Sequence, residues 1–258
     1  FNIGDRVGVG WIHRSCGGPT ENLSPEFKAT GCDVNGGYAE FMTAPENYVV
    51  AIPDGLSDVE AAPLMCAGAI GYRALRLTDL QDGQPLGLMG FGGSGHLVLQ
   101  LCKHCFPNSP IFVFTRGGRV QDFARQLGAD WAGDIDGVPP HPLSAIIDTT
   151  PAWKPVVESL KNLAPGGRLV INAIRKEEFD KAKLLELSYH DHLWMEREIK
   201  SVANLTHFDL AEFLPLAGEI PLQPTVTTFA LEEANEALQS LSRGSTPGSH
   251  VLVIREAS

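Results

Sequence analysis

Six consecutive residues, Gly90-Phe91-Gly92-Gly93-Ser94-Gly95, place glycines at the first, third and sixth positions of a short stretch between an apolar run and an amphipathic one. That spacing suits the binding of a pyrophosphate by backbone. The first glycine permits a tight turn, the second lets the main chain approach phosphate closely, and the last lets a following helix pack on the preceding strand. A helix that begins there also offers unpaired amides and a partial positive charge, with Gly93 and Ser94 supplying backbone to the same cradle. Spacing of this kind also occurs in ordinary glycine-rich turns, so its weight comes from the strand and helix on either side. With both in place, the stretch predicts a dinucleotide site.

The second strand of such a unit normally ends in an acidic residue, about 20 residues past the glycines, which holds a ribose 2′-hydroxyl. Here Ile111-Phe112-Val113-Phe114 runs into Thr115-Arg116. A hydroxyl followed by a guanidinium does not replace that carboxylate, but it suits a 2′-phosphate, and Arg119 stands near enough in sequence to assist. The pattern predicts NADP, with NAD as the alternative. Ligands of open α/β sheets bind beyond the carboxyl ends of the strands. Asp148 and Thr149 after one predicted strand, and Asn172, Ala173 and Ile174 after the next, are therefore expected to line the nicotinamide half.

Other residue types with chemical potential read more plainly. Cys102-Lys103-His104-Cys105 has redox spacing, yet it falls in mid-helix rather than at the helix start that lowers a thiol pKa. It reads as packing. His190 and His192 flank Asp191 and would converge on a metal only along extended backbone; a solvated surface is the simpler expectation. His13 precedes Arg14 just after the first strand-like run, and either a functional or a purely structural role is open to it.

The elements that must position these residues follow from periodicity. Residues 1–60 carry short β-like runs at 6–11, 38–43 and 48–52, split by clusters such as Cys16-Gly17-Gly18-Pro19 and Asn35-Gly36-Gly37. Ser57-Asp58-Val59-Glu60 is a capping box, which predicts a helix running towards Leu77. From residue 84 onward, apolar runs of four or five residues alternate with amphipathic helices, including one expected over 177–187. This is the signature of a parallel sheet covered on both faces. The fold class is α/β: a doubly wound parallel Rossmann sheet at 67–204, plus an incomplete, mostly β domain from 1–66 and 205–258. Leu231, Ala234, Leu238 and Leu241 form one apolar helical stripe.

Composition bounds the partners. The chain has 258 residues, 31 acidic against 20 basic side chains and a formal charge of −11. Without a basic patch it lacks the counterion-releasing surface that nucleic acid requires. Glycine and proline interrupt every hydrophobic run, so no membrane span is expected. The five cysteines form an odd set in a chain large enough to fold without them, which points to a reducing, cytoplasmic setting.

Several motifs, in this order, resemble the zinc-dependent medium-chain alcohol dehydrogenases: Gly4-Asp5-Arg6-Val7, Gly36-Gly37-Tyr38-Ala39-Glu40, Cys66-Ala67-Gly68-Ala69-Ile70-Gly71-Tyr72, the glycine turn, Ser201-Val202-Ala203-Asn204 and Leu231-Glu232-Glu233-Ala234-Asn235. The likeness spans essentially the whole chain and is nearest to the bacterial and archaeal, cinnamyl-type members. It implies a GroES-like catalytic domain beside the Rossmann domain, and hydride exchange between NAD(P) and an alcohol or aldehyde with zinc as Lewis acid. A homo-oligomer, dimer or tetramer, is also implied. The backbone after the fifth sheet strand, together with Ala203 and Asn204, is implied to lie near the carboxamide. Ile70 stands where relatives often carry a threonine against the nicotinamide.

The same likeness implies that Cys66 is a catalytic zinc ligand. The family's other ligands lie in a segment before Gly4, which is expected to be missing from this chain; no His-Glu pair occurs anywhere in it. Other catalytic residues are left unassigned. Cys16, the turn after it and Ser24 occupy the place of the family's four-cysteine structural zinc loop, and Cys32 falls where an aromatic is usual, so that second site is not expected to form. Two other readings are a zinc-free reductase similar to quinone or enoyl reductases and a non-enzymatic NADP-binding relative.

Overall fold

In the computed structural model, which describes residues 1–243 and 248–254, the N-terminal apolar runs are too short for a wide sheet and pair only two by two. β1 (Val7–Val9), β2 (Ile12–Arg14), β3 (Lys28–Ala29) and β4 (Val49–Ala51) form two antiparallel pairs, β1 with β4 and β2 with β3. The run expected as a strand over 38–43 is instead a series of bends. No described strand pairs with it, and Tyr38 and Phe41 stay exposed. The expected capping box is present: the Glu60 amide donates to Ser57 Oγ at 3.3 Å, and the Ser57 amide donates to Glu60 Oε2 at 2.9 Å. It starts α1 (Asp58–Pro63). Pro63 withdraws an amide from the ladder; a π-helical turn, Leu64–Gly68, follows and leads into α2 (Ala69–Leu77).

The next stretch alternates as its periodicity demands: β5 (Leu86–Met89), α3 (Gly95–Cys105), β6 (Ile111–Phe114), α4 (Gly118–Gln126), β7 (Trp131–Gly133), β8 (Leu143–Asp148), α5 (Lys154–Asn162), β9 (Leu163–Ile171) and β10 (Glu198–Ser201). The six strands are parallel, in the order β10-β9-β8-β5-β6-β7. Every residue of β5 and β6 is buried, which is why their sequences are continuous apolar runs rather than alternating ones. One core cluster joins Met89, Phe112, Phe114, Ile146, Val156 and Leu160. Burial of each such side chain stabilises the sheet by about 2 kcal/mol.

Two features of this sheet region differ from the sequence reading. β7 was not marked by its sequence, because three residues around a tryptophan carry no periodicity. The helix expected at 177–187 shrinks to a 3-10 segment, Lys181–Glu186. Asp180 just before it is engaged elsewhere: its carboxylate accepts the amides of Trp153 at 3.0 Å and Lys154 at 2.8 Å, and so caps α5 from a distant part of the chain.

The chain ends with α6 (His207–Glu219), β11 (Val226–Ala230), α7 (Ala234–Arg243) and β12 (Ser249–Val253), with β11 and β12 parallel. A second capping box, Thr206 with Asp209, starts α6. The apolar stripe of α7 does not face inward. Leu238 and Leu241 are 49% and 55% exposed, and the buried residue is Ala237. By packing, the chain divides into two units, Phe1–Ile70 with Ala203–Ser258, and Gly71–Val202; residues 255–258 lie outside the described part. Among the described residues no helix is long and apolar enough to cross a membrane.

Candidate cofactor site

The sheet of the 71–202 unit reverses its order at β5: β6 and β7 lie to one side, β8, β9 and β10 to the other. A single register row, Ser201, Ile171, Asp148, Met89 and Phe114, crosses the sheet at the carboxyl ends of its strands. Gly90, Thr115, Thr149 and Asn172 each lie one residue beyond that row. Strand register alone therefore gathers the predicted residues of this unit at one edge, at the switch point where open α/β sheets bind ligands.

The glycine turn is built as its spacing requires. Gly90 has a φ of +84°, and a Cβ there would lie 2.7 Å from Thr149 Oγ1. A Cβ on Gly95 would lie 2.8 Å from the Gly90 carbonyl oxygen, so α3 starts hard against the turn. At Gly92 a Cβ would meet nothing within 4 Å, which leaves an open face. The amides of Gly92, Gly93 and Ser94 find no acceptor in the protein among the described residues. Open space before free amides at a helix start fits a pyrophosphate.

After β6, Thr115 is buried and its carbonyl accepts from the Gln121 side chain at 3.0 Å. Arg116 and Arg119 are both exposed. Among the described residues neither makes an ion pair, whereas the nearby Asp122 is taken by Arg125 at 2.8 Å. The end of β6 itself thus carries guanidinium groups rather than a carboxylate; the nearby Asp134, just beyond β7, is engaged by the same Gln121 amide at 2.9 Å.

At the other side of the turn, Asp148 is completely buried. Its Oδ1 accepts from the Thr150 amide at 2.9 Å and the Thr150 hydroxyl at 2.7 Å, and its Oδ2 from Lys176 Nζ at 2.5 Å. Lys176 also donates to the Thr150 and Ala152 carbonyls at 2.8 and 2.9 Å. Burial pushes the Asp148 carboxyl up, and Lys176 and Thr150 pull it back. Asp148 thus braces the loops after β8 and β9. Thr149 beside it is half-buried, and its hydroxyl donates to the Met89 carbonyl at 3.1 Å. Asn172 Nδ2 is a buried donor with no acceptor among the described residues, as a group awaiting a ligand would be. Ala173 follows it, and Ile174 is 81% exposed. Lys176 carried no sequence signal; its role depends on a contact 28 residues away.

The other unit contains Cys66, Ala203 and Asn204. Cys66 sits in the π-helical turn with an exposed side chain, and the protein gathered around it pushes its thiol above the ordinary value. No three metal-ligating side chains converge among the described residues. The residues present therefore do not form the catalytic zinc site that the resemblance implies. Cys16 and Cys32 are likewise free thiols. Asn204 holds a left-handed backbone, φ +58°, fixed on both sides: Asn22 Nδ2 donates to the Ala203 carbonyl at 2.5 Å, and the Thr206 box follows.

Beside Asn22 lies a polar centre that the sequence did not announce. Glu21 is fully buried; its Oε1 accepts from the His207 amide and Nδ1, both at 2.7 Å, and its Oε2 from the Tyr48 hydroxyl at 3.1 Å. The residues that meet there are up to 186 positions apart, so spacing could not show them. The two histidines around Asp191 do not converge. His190 is exposed, while His192 is buried, contrary to the solvated surface expected, with Nδ1 against the Ser188 backbone. His13 is half-buried, with Nδ1 unpartnered among the described residues.

A parallel six-stranded sheet with this order and a glycine turn at its switch point defines a Rossmann-type α/β protein. No family model matches the chain. It is 41% identical over 260 residues to the "Probable alcohol dehydrogenase AdhA" of Mycobacterium tuberculosis (strain CDC 1551 / Oshkosh), an alignment that covers 98% of this chain and 73% of that protein. Among solved structures, a cinnamyl alcohol dehydrogenase of Sorghum bicolor matches with a TM-score of 0.84 at 23% identity, over 98% of this chain and 75% of that one. The CAD of Helicobacter pylori, solved with NADP(H), matches with a TM-score of 0.83 at 21% identity, over 100% and 77%. The chain belongs to the medium-chain alcohol dehydrogenase family.

Proposed function

We propose that this protein interconverts alcohols with aldehydes or ketones by hydride transfer, with NADP(H) held at the carboxyl edge of the 71–202 sheet. The cofactor, when bound, supplies or accepts the hydride. The chain's own residues do the rest. The amides of Gly92, Gly93 and Ser94 take the pyrophosphate, with Gly90 and Gly95 shaping the turn. Thr115, Arg116 and Arg119 take the 2′-phosphate. Thr149, held by the Met89 carbonyl, the loop at Asp148, and the backbone at Asn172, Ala173 and Ile174 line the nicotinamide half, and Ala203 and Asn204, which follow β10 in the chain, are assigned to its carboxamide. Residues Phe1–Ile70 and Ala203–Ser258 make up the catalytic, GroES-like domain of this reading.

The observation that carries the cofactor choice is the end of β6. Two exposed arginines, without an ion pair among the described residues, stand where an NAD site needs a carboxylate, and a guanidinium matches a phosphate in shape and charge. Fluorescence titration with NADPH and NADH tests it. The unaltered chain is expected to prefer NADPH, and Arg116→Ala to weaken NADPH by about tenfold while leaving NADH nearly unchanged. A chain that prefers NADH overturns the choice. Five free cysteines support a reducing, cytoplasmic location. The position of β10 at the sheet edge, with Ile199 exposed, supports a homo-oligomer; a monomer by sedimentation would remove that part of the reading.

A further inference from the structure

Peptides whose amides face a phosphate must turn their carbonyls the other way. In the 90–95 turn that direction leads towards the buried side chains Phe91, Leu97 and Val98, where a carbonyl needs a donor from the protein. The Gly92 carbonyl has donors, both from the first turn of α3. The His96 amide reaches it at 3.3 Å and His96 Nδ1 at 2.9 Å.

His96 is 1% exposed, and its ring lies against Phe123, with centroids 6.5 Å apart; Phe123 also packs edge-on against Phe91 in the turn. Burial pushes the imidazole below its ordinary value, so the ring is neutral at physiological pH. A neutral imidazole that faces a carbonyl carries its proton on the nitrogen that faces it, here Nδ1.

We infer that His96 is a positioning residue for the cofactor turn: its Nδ1–H holds the Gly92 carbonyl inward and so keeps the neighbouring amides aimed outward at a pyrophosphate. The inference rests on reading that turn as the cofactor site. It gives the first helical turn of α3 a task beyond its dipole, the setting of peptide orientation by a side chain that never touches the ligand.

Two substitutions on the full chain test this, read by NADPH fluorescence titration and by the ligand-free thermal midpoint. His96→Leu keeps an apolar body and removes the donor; His96→Asn places an amide donor near the Nδ1 position. The expected result is a rise in Kd of about tenfold for His96→Leu, against less than about threefold for His96→Asn, with both midpoints lowered to a similar degree. Equal loss of affinity in the two variants would mean packing alone and overturn the inference, as would an unchanged Kd in His96→Leu. If the leucine variant does not fold, the asparagine variant decides: a loss of about tenfold or more rejects the positioning role. If the unaltered chain binds neither NADPH nor NADH, the cofactor reading itself fails and takes this inference with it.

Discussion

The glycine turn of the 71–202 unit and the Glu21 centre of the other unit hold their loops by opposite means. The turn is a backbone device: glycines stand where a Cβ would collide, and peptide groups face outward. The Glu21 centre is a side-chain device, one buried carboxylate that accepts from three donors contributed by His207 and Tyr48. A backbone device is defined by size and fails when atoms are added. A side-chain device is defined by hydrogen-bonding groups and fails when atoms are removed. Near Cys16, where the family's structural zinc site is not expected to form, Cys16 is a free thiol and the neighbouring chain is held by hydrogen bonds to Glu21.

Substitutions can break or sharpen that contrast. The largest effect is expected at Lys176, the counter-ion beside the turn. Lys176→Met leaves Asp148 buried without its cation, a loss of about 4 kcal/mol in chemical denaturation at neutral pH. The sign of the pH effect follows from the carboxyl. A group raised in the folded state favours folding when protonated, so its contribution is present at low pH and is lost as pH rises through its folded value. The variant's deficit should therefore shrink on acidification. A deficit that grew on acidification would contradict the assignment.

Gly90→Ala ranks next. It adds a Cβ at φ +84°, 2.7 Å from Thr149 Oγ1, and is expected to weaken NADPH binding by about a hundredfold. Retained affinity would show that the turn is not held by size. At Glu21 the contrast is chemical. Glu21→Ala strands three donors and should lower stability by about 2 kcal/mol, because His207 is 26% exposed and regains some water; Glu21→Gln should recover most of the loss. Alkylation gives the smallest readout. Amide and hydroxyl donors from Gly18 and Ser24 lower the exposed Cys16 thiol, and burial pushes Cys102 up to about 12. Peptide mapping after mild iodoacetamide should therefore find Cys16 modified at least about ten times faster than Cys102. Comparable rates would show the two thiols to be equivalent.

What the sequence made legible was the backbone device. Strand runs, the glycine spacing, the Ser57 capping box and the Thr115-Arg116 strand end are all local, and local sequence determines them. Contacts between distant residues escaped it. Lys176 reaches Asp148 across 28 residues, Asp180 caps α5 across 26 or 27, and His207 meets Glu21 across 186. The 38–43 run had strand-like residues but no partner edge, and the α7 stripe had helical periodicity but only Ala237 against the protein. Periodicity reports what an element could bury, whereas topology decides what it does bury.

The division of the chain also fixes an order of events in biosynthesis. Residues 71–202 are one continuous segment, so their sheet has all its strands once Ser201 has left the ribosome, and domains of this kind fold as units during synthesis. The other unit is interrupted by that segment. Leu210 lies where a Cβ on Gly10 would sit, Phe213 packs against Gly68, and His207 is needed at Glu21. Residues 1–70 therefore wait for α6 with apolar surface uncovered, through the synthesis of more than a hundred intervening residues. In a growing chain this is the stretch most open to chaperones and proteases, and deletion of the last fifty residues would leave it in that state permanently.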